Sequence, residues 1–481
     1  MNKSLRTPVR LILASACAWL VGGCMVGPNY HPPEATAPPA WVGVTEPAAA
    51  AASVATPAPP QVVAWWRTFN DPQLTALVEA ALTVNLDIQL AAARLRQARA
   101  ARGVTAGGLW PSLDASASYR RVPSSNSSVS VVSSQGPNVY QTGFDAAWEL
   151  DLFGGIRRNV EAATATIQAA QAGLQDAQVS LAAEVALNYV QLRGFQQQIV
   201  IAQQNLQTQQ HTAALTRQRW QAGFVSRLDV ANADALVAST QAQLPGLETS
   251  ARQAIYALSV LLARPPADWL HELATTQPLP ITPPAVPVGL PSDLLRRRPD
   301  IREAEAQIHA ATAQIGVATA DLFPKFSLTG AVSWQSNMLQ NWFSKGNFSS
   351  SLGPTMQWAL FQGGSVVANI HVQEALRDQA FLTYQKAVLT AFQDVENALI
   401  AFAKEWEHRQ ALTDAVMANQ KAAELATLLY TAGQTDFLSL LEAQRSLYTA
   451  EDALVQSSRT TATDLIALYK ALGGGWESNA S

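Results

Sequence analysis

The chain carries one pattern twice, and that restricts it to folds built from two related halves. Asp87-Ile88 recurs as Asp300-Ile301, Gly103-Val104 as Gly316-Val317, and Leu109 and Pro111 as Leu322 and Pro324, all displaced by 213 residues. Farther on, Trp148 matches Trp358, Gly154 matches Gly364, Ala222-Gly223 matches Ala432-Gly433, and Leu244 matches Leu454, displaced by 210. The displacement drops between Pro111 and Trp148, so the second copy has the shorter loop there. A period of roughly 200 residues is too long for a solenoid unit and implies duplication of a whole domain.

Within each copy the hydrophobic period switches. Leu113, Ala115, Ala117 and Tyr119 alternate with Asp114, Ser116, Ser118 and Arg120. After a Ser-rich loop, Tyr140, Thr142, Phe144, Ala146 and Trp148 alternate with Gln141, Gly143, Asp145, Ala147 and Glu149. In the second copy Phe326, Leu328, Val332 and Trp334 alternate with polar residues, as do Phe348, Leu352, Met356 and Trp358. These runs predict strands at about 113–123 and 139–150, then 326–336 and 347–360. Period two fits an outer-membrane barrel strand and equally a soluble sandwich strand. On the barrel reading, Tyr119, Phe144, Trp148, Trp334 and Trp358 face lipid, and Asp114, Glu149 and Gln357 face the lumen. Four strands cannot close a barrel, so that reading requires further copies of the chain.

The remainder reads as helix. Neither 156–222 nor 365–432 contains proline, and at 1.5 Å per residue each stretch extends ~100 Å. Ile167, Leu174 and Leu181, then Val185, Leu192, Ile199 and Leu206, keep the seven-residue beat of coiled-coil packing. Each long helix ends at Ala-Gly, a natural helix terminus. Returning helices are expected at 227–263 and 437–471, and helices preceding each strand pair at 72–108 and 293–321.

The first 23 residues order Lys3, Arg6 and Arg10, an apolar stretch from Leu11 to Val21, and Gly22-Gly23 before Cys24. That is the order of an export signal; the competing reading is a membrane anchor with an incidental cysteine. The only other cysteine, Cys17, lies inside this leader, so the mature chain has no possible internal disulfide. Loss of the three cations takes the formal charge from −4 to −7. Nothing in that balance invites nucleic acid. Charged residues are 14% of the chain, against a typical ~25%, so solvated faces are scarce. After the leader no apolar run is expected to reach helical membrane-spanning length.

The resulting division is a leader at 1–23, an extended Pro/Ala-rich segment at 24–60, a first repeat at 61–264, a second at 292–475 and a tail at 476–481. Eight prolines mark the join at 265–291. Small residues before Cys24 resemble the lipobox of bacterial lipoproteins, which implies an acylated Cys24. Met25 after it resembles lipoproteins sorted to the outer membrane.

Helix, strand, strand, helix, written twice after a lipobox, resembles the TolC-like outer-membrane efflux channels. Val26-Gly27-Pro28-Asn29-Tyr30, Trp65-Trp66 with Phe69, Trp148 to Gly154, Leu360 to Gly364 and Leu294 to Ile301 sharpen this toward the NodT-type lipoprotein branch. The resemblance implies an α+β membrane protein: a homotrimer whose 12-stranded barrel, four strands per protomer, continues into a periplasmic helical tunnel. It implies a passive exit duct in the outer membrane of a Gram-negative bacterium. A periplasmic adaptor and an inner-membrane transporter of the RND or a related type are its partners. Drugs and small organic compounds are the expected cargo, with protein secretion and metal-ion efflux as alternatives. A non-conducting coiled-coil lipoprotein is the reading of another class.

By the same resemblance a gate lies where the long helices turn back. Asp229 and Tyr430 match a hydrogen-bond pair that holds the tip closed, and Glu442 matches a member of an acidic ring. Ser439 stands where another acid often sits. Thr435 replaces a gate arginine, and Arg227 is a candidate substitute. Leu294–Ile301 reads as a helix start rather than a phosphate site, since no glycine-rich cradle accompanies it. The six histidines never fall at i, i+4 spacing with one another, and no nucleophile-elbow motif occurs. No catalytic residue, metal or cofactor is expected.

Overall fold

The computed structural model describes residues 25–34, 37–42, 54–56, 63–121, 138–280 and 285–476. The leader, Cys24 and the last five residues lie outside the described residues. The chain divides into two units, one of residues 1–34, 94–170 and 303–385, the other of 35–93, 171–302 and 386–481. Each is built from both sequence copies.

The first unit holds one four-stranded sheet of β2 (Ser112–Arg121), β3 (Asn138–Leu150), β5 (Lys325–Ser336) and β6 (Phe348–Gln357). The order β2-β3-β5-β6 is antiparallel throughout. Strands therefore form where alternation predicts them, except that β6 stops before Trp358 and that 122–123, expected in the first strand, lie outside the described residues. In both copies an indole closes the base of a strand pair. Trp148 Nε1 donates to the Leu109 carbonyl at 3.0 Å, and Trp358 Nε1 to that of Leu322 at 3.1 Å.

Residues 25–30 are fixed in this unit. The guanidinium of Arg158, 2% exposed, donates to the carbonyls of Val26 and Gly27 and to Asn29 Oδ1, and pairs with Glu161 at 2.8 Å. The Tyr30 ring stacks on His309 at 4.3 Å. Gly27 has φ +85°, and a Cβ there would stand 2.5 Å from the Gly316 Cα, so only glycine fits.

The second unit is mostly helical and carries most of the buried apolar side chains. A 3-10 turn, Trp65–Phe69, buries Trp65 against Tyr469, ring centres 5.3 Å apart. Asp71 caps α1 (Pro72–Val84) and accepts the Tyr189 hydroxyl at 2.8 Å. Leu181, Val185 and Leu192 of the predicted seam are buried. They lie on α3 (Gly155–Gln221), one of two 67-residue helices. The other is α8 (Ser365–Thr431), and both pass through the two units. Their returning partners are α4 (Arg227–Leu261) and α9 (Phe437–Ala471), 35 residues each.

The structure revises several expectations. The helix expected over 72–108 is two, α1 and α2 (Leu86–Gly107), because buried Asn85 diverts the backbone. Its Oδ1 accepts the amides of Asp87 and Ile88, and its Nδ2 donates to the Leu261 carbonyl. By composition, residues 72–107 do hold a stretch apolar enough for a membrane helix, contrary to expectation. Asn85 divides it, and Leu74, Leu77, Val78 and Ala81 go to the core. The helix expected over 293–321 is likewise split at Pro299, where Arg298 takes the extended conformation proline demands of its predecessor. Much of the Pro/Ala-rich segment lies outside the described residues, but within it Trp41 is 3% exposed and donates to the Gly289 carbonyl. Within it, β1 (Val54–Thr56) pairs in parallel with β4 (Ala285–Pro287) of the Pro-rich join. Trp476 belongs to the fold rather than the tail, with the Arg302 guanidinium 5.1 Å from its ring centre.

Candidate functional site

Directly opposed residues of an antiparallel pair share a face. Phe144 opposes Ala115 and Val332, Trp148 opposes Leu328, Trp334 opposes Phe348, and Phe326 opposes Met356. Tyr119, opposite Tyr140, joins them, so one face is apolar across all four strands. Asp114, Asp145, Glu149, Ser327, Ser349 and Gln357 occupy the other. Trp342 and Phe343 pack on Tyr140 and Trp334 at one end of the apolar face, but Leu352 is 80% exposed and Leu113 70%, so most of that face is uncovered by described residues. The edges, β2 and β6, have no further strand partner among the described residues.

The second feature is the pair of helical hairpin tips in the helical unit. Long helix α3 ends at Gly223, φ +83°, with the Phe224 amide bonded to the Arg219 carbonyl. Ser226 then caps α4, and its amide and hydroxyl donate to Asp229 Oδ2 at 2.9 and 2.8 Å. Long helix α8 ends the same way at Gly433, φ +74°, with Gln434 bonded to the Leu429 carbonyl. Asp436 caps α9 by accepting the Ser439 amide at 2.9 Å. Hydrogen bonds from Ser439 hold the Asp436 carboxyl below the usual carboxylate range.

The expected Asp229–Tyr430 pair is not made within the protomer. Asp229 is engaged in its own helix cap, as its position at N3 dictates. Tyr430 is 1% exposed and packs with Phe437, Leu440, Ala213 and Ala233. Its hydroxyl lies 3.1 Å from Thr216 Oγ1 and donates to it, because Thr216 spends its own proton on the Thr212 carbonyl at 2.9 Å. The arginine that reaches Tyr430 is Arg219, not Arg227, which is exposed. Arg219 Nη1 donates to the Tyr430 carbonyl, and its guanidinium sits 4.7 Å from the Tyr430 ring centre. Its Nη2 also packs on Gly433, where a Cβ would stand 3.2 Å away. The charge thus meets the negative end of α8, a favourable placement for a cation. Thr435 is half-buried, and Ser439 and Glu442 are exposed.

Arg219 was missed by sequence reasoning. Its signal was a cation in the last turn of a helix, which does not say which helix end it will reach. Trp220, Phe224 and Leu228 are exposed at the first tip, as are Leu428 and Leu438 at the second.

The string Leu294–Ile301 has a structural role, as expected. Arg298 donates to both Asp300 oxygens, at 3.0 and 2.7 Å, to Asp394 at 3.0 Å and to the Ala471 carbonyl at 3.2 Å. Beside it a cavity of about 460 Å³ is lined by Asp176, Asp464 and Lys470. Burial, with Glu405 adding repulsion, pushes Asp464 up to about 6. Among the described residues no group of three or more His, Cys, Asp or Glu side chains is placed to hold a metal ion.

Known proteins match this one along most of the chain. The family model described as Outer membrane efflux protein matches residues 77–264 and 290–474. Nodulation protein T of Rhizobium leguminosarum bv. trifolii is 34% identical over 468 residues, covering 95% of this chain and 96% of its own. Pyoverdine export outer membrane protein OpmQ of Pseudomonas aeruginosa is 34% identical, covering 98% and 97%. The solved outer-membrane channel OprN superposes with TM-score 0.85 at 39% identity, covering 94% of this chain and all of that one.

Proposed function

The chain belongs to the outer membrane efflux protein family and is the outer-membrane channel component of an efflux system, and we propose that it is a passive exit duct for drugs or small organic compounds. The observation that carries this reading is the uncovered four-stranded sheet. An open sheet in lipid leaves edge amides and carbonyls unpaired at a cost of several kcal/mol each. Three copies joined β6 to β2 close one twelve-stranded barrel with the apolar face outward and Asp114, Glu149 and Gln357 inward. The similarity to a pyoverdine export protein supports a small organic cargo.

The two repeats, at 61–264 and 292–475, each contribute half of the sheet and one hairpin. Exposed Trp220, Phe224, Leu228, Leu428 and Leu438 give the tips an apolar surface suited to a periplasmic adaptor, which couples the duct to an inner-membrane transporter. The hairpin tips form the gate. Tyr430, clasped by Arg219 and Thr216, holds the second hairpin to the first within a protomer. Asp229 shapes the first tip through its cap, Thr435 and Ser439 leave the second tip without further charge at their positions, and exposed Glu442 tunes cation preference. Acylation of Cys24 anchors the mature chain.

Purified protein reconstituted in a planar bilayer tests the duct. An SDS-resistant oligomer with cation-selective conductance, reduced in selectivity by Glu442→Gln, is expected. A protein that inserts but never conducts is a structural lipoprotein instead. Palmitate labelling that persists in Cys24→Ser would remove the anchor from this account.

A further inference from the structure

The two ends of the four-stranded sheet differ in charge. Helices join all four strands at one end, ending at Gly107 and Ala320 or starting at Gly155 and Ser365. That end is rich in acids, among them Asp114, Glu149, Asp151 and Asp321, and its cations Arg157 and Lys325 pair with Asp151 at 3.1 Å and Asp321 at 2.9 Å. From Ala115 to Phe144 and from Phe326 to Gln357 the sequence has three charged residues, Arg120, Arg121 and Lys345, and all are cations. Each is exposed, and none of their side chains has a hydrogen-bond or ion-pair partner among the described residues.

Two of the three belong to the apolar face. Arg121 opposes Asn138, and beside them on that face Tyr119 opposes Tyr140, the Tyr119 hydroxyl donating to Asn138 Oδ1 at 3.1 Å. A chain of rings crosses the sheet from there. Tyr119 and Tyr140 have centres 5.0 Å apart, Tyr140 and Trp342 5.6 Å, Phe343 and Trp334 6.0 Å, and Trp334 and Phe348 5.4 Å. Lys345 lies in sequence between Phe343 and Phe348, both of which pack on Trp334. Rings with polar tips at the rim of a lipid-facing surface mark the level where acyl chains give way to headgroups. Arg120 alternates to the other face, with Asp114.

We propose that Arg121 of one protomer and Lys345 of its neighbour hold the phosphate of an acidic glycolipid of the outer leaflet at each joint of the barrel; this rests on the three-copy closure above. The free edges are β2 and β6, and Arg121 ends β2 at the same end of the sheet at which Phe348 begins β6. With the helices in the periplasm, that end is the outer rim. Within a protomer β2 and β6 are three strand spacings apart, roughly 14 Å, but across a joint only one, roughly 5 Å. The shorter gap suits one phosphate held by both cations. The guanidinium forks two phosphate oxygens, and the ammonium adds a point charge. Exposed Tyr119 on β2 and Leu352 on β6 receive the acyl chains beneath. A zwitterionic headgroup would bring an ammonium to the same rim, where the described residues offer no carboxylate to meet it.

Native mass spectrometry of the full-length protein in detergent, with diphosphoryl lipid A added, measures the binding. One lipid per joint is expected, bound about thirtyfold more weakly by Arg121→Gln with Lys345→Gln, the effect of two cations at an acidic lipid surface. Exchanging the two cations, as Arg121→Lys with Lys345→Arg, should retain binding, and Lys325→Gln at the helix end should leave it unchanged. The double glutamine variant should keep trimer mass and bilayer conductance, because both side chains are exposed and unpaired. Dephosphorylated lipid A and phosphatidylethanolamine should bind the unsubstituted protein no better than diphosphoryl lipid A binds that variant. Equal binding of diphosphoryl lipid A by the two proteins, or of the phosphorylated and dephosphorylated lipids, overturns the site. Full displacement of the lipid by inorganic phosphate overturns its lipid identity. A trimer that conducts in phosphatidylethanolamine bilayers without preferring lipid A leaves the barrel standing and sinks this site alone. A protein that neither forms trimers nor enters any bilayer sinks both.

Discussion

The two hairpin tips descend from one ancestor and have reached opposite solutions for the same positions. At a displacement of 210, Trp220 corresponds to Tyr430, Arg219 to Leu429, and the capping pair Ser226/Asp229 to Asp436/Ser439. The backbone is kept: both tips turn through a positive-φ glycine and restart on a capped helix. The side chains are not. Trp220 is 41% exposed, whereas Tyr430 is 1% exposed. The acid that sits at N3 in the first tip sits at the N-cap in the second, with serine taking the other place. Duplication supplied two equivalent turns; divergence made one the holder and the other the held. Arg219 of the first tip reaches the helix end of the second, and no reciprocal arginine exists because Leu429 occupies that place.

The sharpest test of this asymmetry is to truncate the matched aromatics. Tyr430→Ala should cost about 3–5 kcal/mol, as for a buried aromatic, and Trp220→Ala within about 0.5 kcal/mol, as for a surface change. Hydrogen exchange at the tip amides would read the difference; equal protection loss in both would break the comparison. Next in size, Arg219→Met should destabilise the tips by about 2 kcal/mol through a lost charged hydrogen bond and the ring contact. Single-channel conductance should rise with it, while Arg227→Met leaves conductance unchanged.

The asymmetry continues along the returning helices, where Ala254 of the first copy corresponds to Asp464 of the second. Burial holds Asp464 up to about 6, so the folded protein binds its proton more readily than the unfolded chain. Its charge therefore opposes folding above that value, and the penalty fades as pH falls through 6 toward the ordinary carboxylate range. Asp464→Asn should stabilise by about 1–2 kcal/mol at pH 7, after allowing for solvent screening, and by nothing near pH 4. Thermal melts at the two pH values decide it. The smallest effect is at the caps. Ser226→Ala should cost about 1 kcal/mol. The Asp436 cap, whose carboxyl lies below its usual range, should hold at neutral pH and be lost only as acid titrates it. Melting of Asp436→Asn against wild type should therefore converge at low pH.

Much of this fold could be read from residue order. Period-two alternation located four strands and their faces, because a strand has only two sides and Phe144, Trp148 and Trp334 had to share one. The Ala-Gly pairs located both tips, since a positive-φ residue is a local backbone demand. Asn85 escaped notice because nothing in the local pattern says that its amide will bond the distant Leu261 carbonyl. The clasp on Tyr430 was half legible: position marked Tyr430, but its partner depended on which way a long arginine turned across two helices. Asp229 was misread for a related reason. A carboxylate three residues after a serine N-cap satisfies its own helix first, and that local bond outcompetes a distant hydroxyl.

The sheet order β2-β3-β5-β6 has a genetic consequence. Each protomer offers a β6 edge to one neighbour and a β2 edge to the other, so a ring of three has three joints and no spare. A subunit with one disabled edge can still be recruited through its other edge, and it leaves the ring open. In a cell making equal amounts of intact and edge-defective chains, roughly one ring in eight is wholly intact if subunits mix at random. An edge-strand allele should therefore be dominant, whereas a chain truncated before the sheet, with no edge to offer, should be recessive.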